Sequence, residues 1–204
     1  MKNESTVDKM VDYMNTKYSD HFEYYAPFGG GPGLTSNEII VKSEKFPDAE
    51  IVVAYYVQDG EDVFIDQYID YKYEQQTREL LQKLLEEAFE CDVFLSFGVG
   101  GTGAKNNFTD TTTFKEYISS KESYLGFNAI VLKDAKDIDS DIIESRLLAA
   151  LTEHDIVIGG SVYFANDEAT FKPLEELASK DRRSLKCLDF SISNSQKFDY
   201  CEWR

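Results

Sequence analysis

The chain has 204 residues, of which 38 are acidic and 21 basic, for a net charge of −17. With 42% hydrophobic and 29% charged residues it reads as globular rather than disordered. A chain of this length buries about 70% of its unfolded surface and needs no metal or disulfide to fold. No apolar run approaches the roughly 20 residues of a membrane helix. So acidic a surface repels phosphate backbones, and nucleic-acid binding is not expected.

In chain order, Val7, Met10, Val11, Met14 and Tyr18 are spaced by three and four, which predicts a helix over residues 5–18. A strand follows from Phe22 to Ala26, then the glycine-rich loop Gly29 to Gly33 and a second strand, Glu38 to Ser43. Asp59-Gly60 between Ile51–Val57 and Val63–Ile65 signals a two-residue hairpin that sets Tyr56 against Val63 and Tyr55 against Phe64. Tyr73, Thr77, Leu80, Leu81, Leu84, Leu85, Ala88 and Phe89 form one stripe of a helix from Tyr68 to Glu90, and a buried strand is expected from Val93 to Phe97.

Residues 98–112 are rich in Gly, Asn and Thr, so they are read as a glycine-rich connection and a boundary between two lobes of one α+β domain. Acidity shifts there too, from −12 over residues 1–100 to −5 over residues 101–204. Thr113 and Glu116 fit a capping box that opens a short helix through Phe114, Tyr117 and Ile118. The second half alternates: a strand over 127–132, a helix over 141–153 with Ile142, Ile143, Leu147, Leu148 and Leu151 inward, and a strand over 156–164. A helix over 168–179 with Pro173 near its start comes next, then strands near 185–192 and 197–203. Such alternation implies some parallel pairing. The fold class expected is therefore α+β, a mixed sheet or two joined sheets packed with about five helices.

Several constellations invite a chemical reading. Gly98-Val99-Gly100-Gly101-Thr102-Gly103 spells G-x-G-x-x-G after a strand, but no helix pattern follows it and the next strand ends at Asp134, too far on for the ribose-binding acid. Gly29 to Gly33 lacks the Lys-Ser or Lys-Thr of a phosphate-binding loop. Asp137, Asp139 and Asp141 alternate like a calcium loop, but Ile142 stands where Gly is needed and Leu148 where Glu is needed, so a carboxylate-decorated helix start is the better reading. With only His21 and His154 in the chain, a Cys91–His154–Asp155 nucleophile set has little support. Asp59, Glu61, Asp62 and Asp66 read as a solvated hairpin tip. Core packing is preferred for the surplus tyrosines Tyr24, Tyr25, Tyr55, Tyr56, Tyr71 and Tyr73, with a recognition surface as the alternative.

The three cysteines form no CxxC pair. Cys187 lies opposite the apolar set Leu188, Phe190, Ile192, and Cys201 opposite the set Phe198, Tyr200. A three-residue loop, Ser193-Asn194-Ser195, then sets Phe190 against Phe198 and Cys187 against Cys201, making the two thiols neighbours. No catalytic, cofactor-binding or metal-binding residue is assigned, and no cofactor.

Met14, Lys17-Tyr18, Phe22-Glu23-Tyr24, Ser43 to Pro47 and Tyr71 to Glu74 together resemble a group of uncharacterised small proteins of Gram-positive bacteria, some of them exported and lipid-anchored. The resemblance covers roughly the first 100 residues and implies no reaction. Met1 to Ser5 shows no basic-then-apolar leader, so the sequence taken literally is cytoplasmic, and exported or lipid-anchored if a leader has been removed. The leading expectation is a non-enzymatic binding or interaction domain for a protein or small-molecule ligand. The alternatives are an acidic inhibitor of immunity type with a basic partner, and a nucleotide-dependent enzyme using the Gly98–Gly103 loop.

Overall fold

The first helix, α1 (Thr6–Lys17), begins at a reciprocal capping box between Ser5 and Asp8. It is the first element of a computed structural model that describes residues 5–29, 37–98, 107–123, 125–193 and 197–204. The chain divides into two units, Met1–Tyr73 with Gly100–Thr113 and Glu74–Val99 with Phe114–Arg204. Among the described residues there are five α-helices and nine strands in two sheets, an α+β fold. No helix there is long and apolar enough to cross a membrane.

The first unit is an antiparallel meander of β1 (Phe22–Pro27), β2 (Glu38–Ser43), β3 (Ile51–Gln58) and β4 (Glu61–Asp66), in that order across the sheet. The hairpin has the predicted register, Tyr56 against Val63 and Tyr55 against Phe64. Its turn residues Asp59 and Gly60 take φ of 54° and 86°, as a type I′ turn needs. Helix α1 lies on the face carrying Phe22, Val41, Val53 and Phe64; Met10 and Met14 are fully buried and Tyr13 stacks on Phe64 at 4.6 Å between ring centroids. Residues 107–112, expected to be part of a connection, instead join this unit. Phe108 is buried, Lys72 donates to the Asp110 carbonyl at 3.0 Å, and Tyr73 donates to the Thr112 carbonyl.

Asp66, expected at a solvated tip, sits at the centre of this unit at 1% exposure. Its carboxylate accepts from Tyr13 at 2.9 Å, Tyr18 at 2.8 Å, the Lys17 ammonium at 2.7 Å and the Tyr68 backbone N–H at 3.1 Å. Burial, then the adjacent Asp66 charge, raises both phenols above the ordinary tyrosine range. A buried carboxylate so completely bonded ties α1 to the end of β4 and to the start of α2 (Tyr68–Phe89).

The second unit takes the rest of α2 and a sheet ordered β5 (Val93–Gly98), β6 (Gly126–Leu132), β7 (Ile158–Ala165), β8 (Lys186–Ile192), β9 (Tyr200–Trp203). Short α3 (Phe114–Ile118) precedes β6, and α4 (Ser140–Glu153) connects β6 to β7, the one parallel pair among the described strands. The remaining pairs are antiparallel, so the sheet is mixed. Strand β5 is an edge strand with alternating burial, not the buried strand expected, and Phe94 is 39% exposed.

One face of this sheet carries Phe127, Ala129, Val131, Val162, Phe164, Leu188 and Phe190. Phe89 of α2 meets Phe164 edge-on at 5.8 Å, and Glu144 of α4 accepts from the Trp203 indole at 2.6 Å. On α4, Ile143, Leu147 and Leu151 are buried, whereas Ile142 is exposed. A helix from 140 with Ile143 inward turns its neighbour about 100° away, so the two isoleucines cannot share the core. Gly160 is required here, since a Cβ would stand 2.7 Å from the Phe127 ring.

The predicted helix over 168–179 is absent. That stretch is irregular, with a 3₁₀ turn at Leu174–Glu176 and α5 at Ser179–Ser184. Pro173 supplies no N–H and biases Lys172 to extended backbone, which stops a helix entering from upstream. The segment instead lies as a strap across the second face of the sheet: Leu174 and Leu177 pack with Ile130 and Ala165, flanked by Phe171, Tyr163 and Leu185.

Asp66→Asn leaves Lys17 beside a neutral amide and is expected to cost about 3 kcal/mol in urea unfolding; a loss under 0.5 kcal/mol would contradict the role given to the carboxylate. For the phenols the sign is alkaline. Tyr13 and Tyr18 keep their protons in the fold above the unfolded value of about 10, so their stabilising contribution is whole below that pH and is lost as pH rises beyond it. Absorbance at 295 nm should show Tyr13 and Tyr18, with the buried Tyr68, ionising only together with unfolding.

Candidate functional site

The irregular strap has a consequence for electrostatics. Arg182 and Arg183, at the end of α5, come to the same pocket as Arg204, Tyr163, Leu185 and Cys187. Three of the chain's five arginines thus line one pocket of about 240 Å³ in a unit that carries 14 basic and 23 acidic residues. That volume is room for about eight waters, below the usual range for drug-sized ligands.

The sheet builds the floor by register. Tyr163 of β7 pairs with Cys187 of β8, and Cys187 exchanges both backbone hydrogen bonds with Arg204 just past β9, at 2.8 Å each. The three side chains therefore stand in one row on the strap-covered face. Asp189, two residues along β8, accepts from Ser161 at 2.5 Å and pairs with Arg204, while the Cys187 thiol points to it at 3.5 Å. Arg182 is anchored by donating to the Leu174 carbonyl at 2.7 Å, and its Nε is buried without a partner. Arg183 is exposed and makes no ion pair or hydrogen bond among the described residues.

These groups hold charge but offer no nucleophile. Burial, then the neighbouring Asp189, pushes the Cys187 thiol up to about 11. Burial, followed by the charges of Cys187 and Asp189, raises the Tyr163 phenol. Both stay protonated near neutral pH. What the pocket presents is two to three guanidinium groups, a phenol and a thiol around an apolar wall, which suits a small anion.

The sequence-level candidates fare unevenly. Most of the Gly98–Gly103 motif, Gly30 to Gly33, and Asn194 with Ser195 lie outside the described residues. Asp139 caps α4 by accepting from the Ile142 N–H at 3.2 Å, and Asp137 ends the 3₁₀ turn before it. Among the described residues no group of three His, Cys, Asp or Glu side chains is placed to hold a metal ion. Cys91 follows α2 with its thiol raised by burial beside Lys133 and Asp92; His154 caps the end of α4, and Asp155 pairs with Lys115 at 3.5 Å. Of the surplus tyrosines, Tyr73 is buried, while Tyr24 and Tyr25 are exposed on β1 at an irregularity in its pairing with β2.

The expected neighbourhood of Cys187 and Cys201 is corrected. Strands β8 and β9 pair Leu188 with Trp203 and Phe190 with Cys201, three residues out from the expected register. The error lay in taking Tyr200 as inward. Phe198 does pack on Phe190, at 5.6 Å, but beyond it Cys201 and Trp203 take the inward face, and Tyr200 is 46% exposed. Cys187 and Cys201 therefore stand on opposite faces, both as free thiols.

A second cleft, in the first unit, is lined by Lys9, Asp12, Tyr13, Thr16, Lys17, Asp62 and Phe64. Its two cations are bonded within the protein: Lys9 to Asp62 at 2.7 Å, and Lys17 to Tyr13 and Asp66, each at 2.7 Å. With the Tyr13 phenol raised, the Tyr13–Lys17 pair is not arranged as an acid–base couple.

No family model matches the chain, and no curated protein matches it. Among solved structures, it is similar to a DUF5037 family protein from Ruminococcus gnavus ATCC 29149, with 12% identity, 94% of this chain and 93% of that chain covered, and a TM-score of 0.47. Likeness at that level carries no argument about function.

Oxidation of the folded protein with copper phenanthroline is expected to give no Cys187–Cys201 disulfide in peptide mapping. Recovery of that linkage from folded monomer would refute the β8–β9 register.

Proposed function

We propose that this chain is a non-enzymatic binding domain whose ligand is a small anion held in the arginine pocket of the second unit. The observation that carries this reading is the gathering of Arg182, Arg183 and Arg204 around one pocket of an otherwise acidic chain. Placing three cations side by side costs mutual repulsion, which an anionic ligand relieves. Asp189 offsets one of them, leaving Arg183 and the buried Arg182 Nε–H to meet the ligand. Binding rather than turnover follows from the protonated thiol and phenol, neither poised as a nucleophile or base.

Calorimetric titration of the full chain with acetate, benzoate and sulfate tests this. At least one should bind saturably at a single site, with affinity falling at least tenfold in Arg183→Glu. Leu185→Trp, which fills the pocket, should abolish binding while the protein stays folded by circular dichroism. No saturable anion binding, or binding indifferent to both substitutions, would overturn the proposal.

A further inference from the structure

The pocket is continuous with an open stretch of sheet whose composition bears on what the rest of the ligand looks like. Two residues along each strand from the row Phe94, Ile130, Tyr163, Cys187, Arg204 lies a second row on the same face: Ser96, Asn128, Ser161, Asp189, Glu202, each registered directly against the next across all five strands. Ser96, Asn128 and Glu202 are exposed, and Ser161 and Asp189 half-buried. The strap that covers the first row through Leu174, Leu177 and Phe171 leaves Ser96, Asn128 and Glu202 open to solvent, while Asp189 is held by Ser161 and Arg204.

Neighbouring rows on one face are about 7 Å apart and neighbouring strands about 5 Å. A group docked on the arginines thus has Ser161 and Asp189 one row away and Asn128 one strand beyond Ser161, about 10 Å from Asp189. Further along lie Gly126 and Gly159, where an added Cβ would meet its nearest neighbours at ordinary distances of 3.9 and 3.5 Å. Packing does not require glycine there, unlike at Gly160, and the bare backbone lets a flat ligand lie close.

Resting on the anion-binding reading of the arginine pocket, we infer that the ligand is an acidic sugar: one acidic group on a neutral, polyhydroxylated body. The acidic group pairs with Arg183 and the Arg182 Nε–H, the two groups that Asp189 leaves unmatched. Asn128, Ser161 and the exposed Glu202 take the hydroxyls, since a carboxylate is a strong acceptor for O–H donors. Asp189 and Glu202 also set the charge count, because a second anionic group over them would be repelled. The surface therefore selects against nucleoside di- and triphosphates and other polyanions.

The test is a calorimetric comparison on the full chain of D-galacturonate, glucose 6-sulfate, glucose and acetate at fixed ionic strength. At least one acidic sugar should bind tenfold or more tighter than both glucose and acetate; which one does so identifies the carboxylate or the sulfate as the acidic group. Asn128→Leu, at an exposed position outside the arginine pocket, should reduce acidic-sugar affinity to that of acetate while leaving acetate binding unchanged, and Ser161→Ala should lower acidic-sugar affinity as well. If both acidic sugars bind no better than acetate, or the two substitutions have no effect, the sugar assignment is wrong and the anion pocket stands. If neither acetate nor any acidic sugar binds, the anion pocket itself is wrong.

Discussion

The second unit depends on the registration of five strands around one parallel pair. The β6–α4–β7 crossover fixes β6 against β7, and Gly160 makes room for the Phe127 ring between them. The antiparallel partners then inherit a common phase, so that equivalent residues stand in rows across the whole sheet. Core packing requires this phase on one face, where Phe89 and Trp203 meet Phe164, and Phe127 meets Phe190. The other face receives its arrangement as a by-product: Tyr163, Cys187 and Arg204 in one row, a polar row beside it. A slip of one residue at any ladder would exchange the two faces and disperse the pocket.

Electrostatics work in opposite directions at two depths. Over the whole chain the −17 charge disfavours the approach of any anion, more strongly at low salt. Inside the pocket the local balance is positive, because Asp189 offsets only Arg204. A site of this kind attracts through short-range pairing rather than long-range steering, which favours small ligands over extended polyanions. The first unit uses charge differently, burying Asp66 among two phenols, an ammonium and a backbone N–H to hold α1 on the sheet.

Much of the architecture was legible wherever the pattern was local. Asp59-Gly60 specifies its hairpin and register, and the stripe from Tyr73 to Phe89 specifies α2. The crossover through α4 was also readable. The failures share a cause, in that the deciding interaction is not local. Pro173 stands near the start of the predicted helix, where proline is tolerated, yet Leu174 and Leu177 pack on Ile130 instead of continuing a helix. At the C-terminus, Phe198 points to the right face, but strict alternation from it puts Tyr200 inward, and the Trp203–Phe164 stack decides the phase from another strand. The pocket was missed altogether. Its parts lie between Tyr163 and Arg204 in sequence, and Arg182-Arg183 resembles any solvated pair of cations. A signal was present in the clustering of three of five arginines within the last 23 residues of an acidic chain.

The orphaned Arg182 Nε–H offers the most direct measurement. It is buried, unpartnered and in the pocket lining, so it gives a resonance of its own in a ¹H–¹⁵N spectrum tuned to guanidinium groups. Titration with D-galacturonate should shift that resonance saturably, in step with the backbone amides of Tyr163 and Cys187, with no shift among residues of the first unit. An Arg182 resonance that stays fixed while amides elsewhere move would place the ligand away from the arginines and contradict the account.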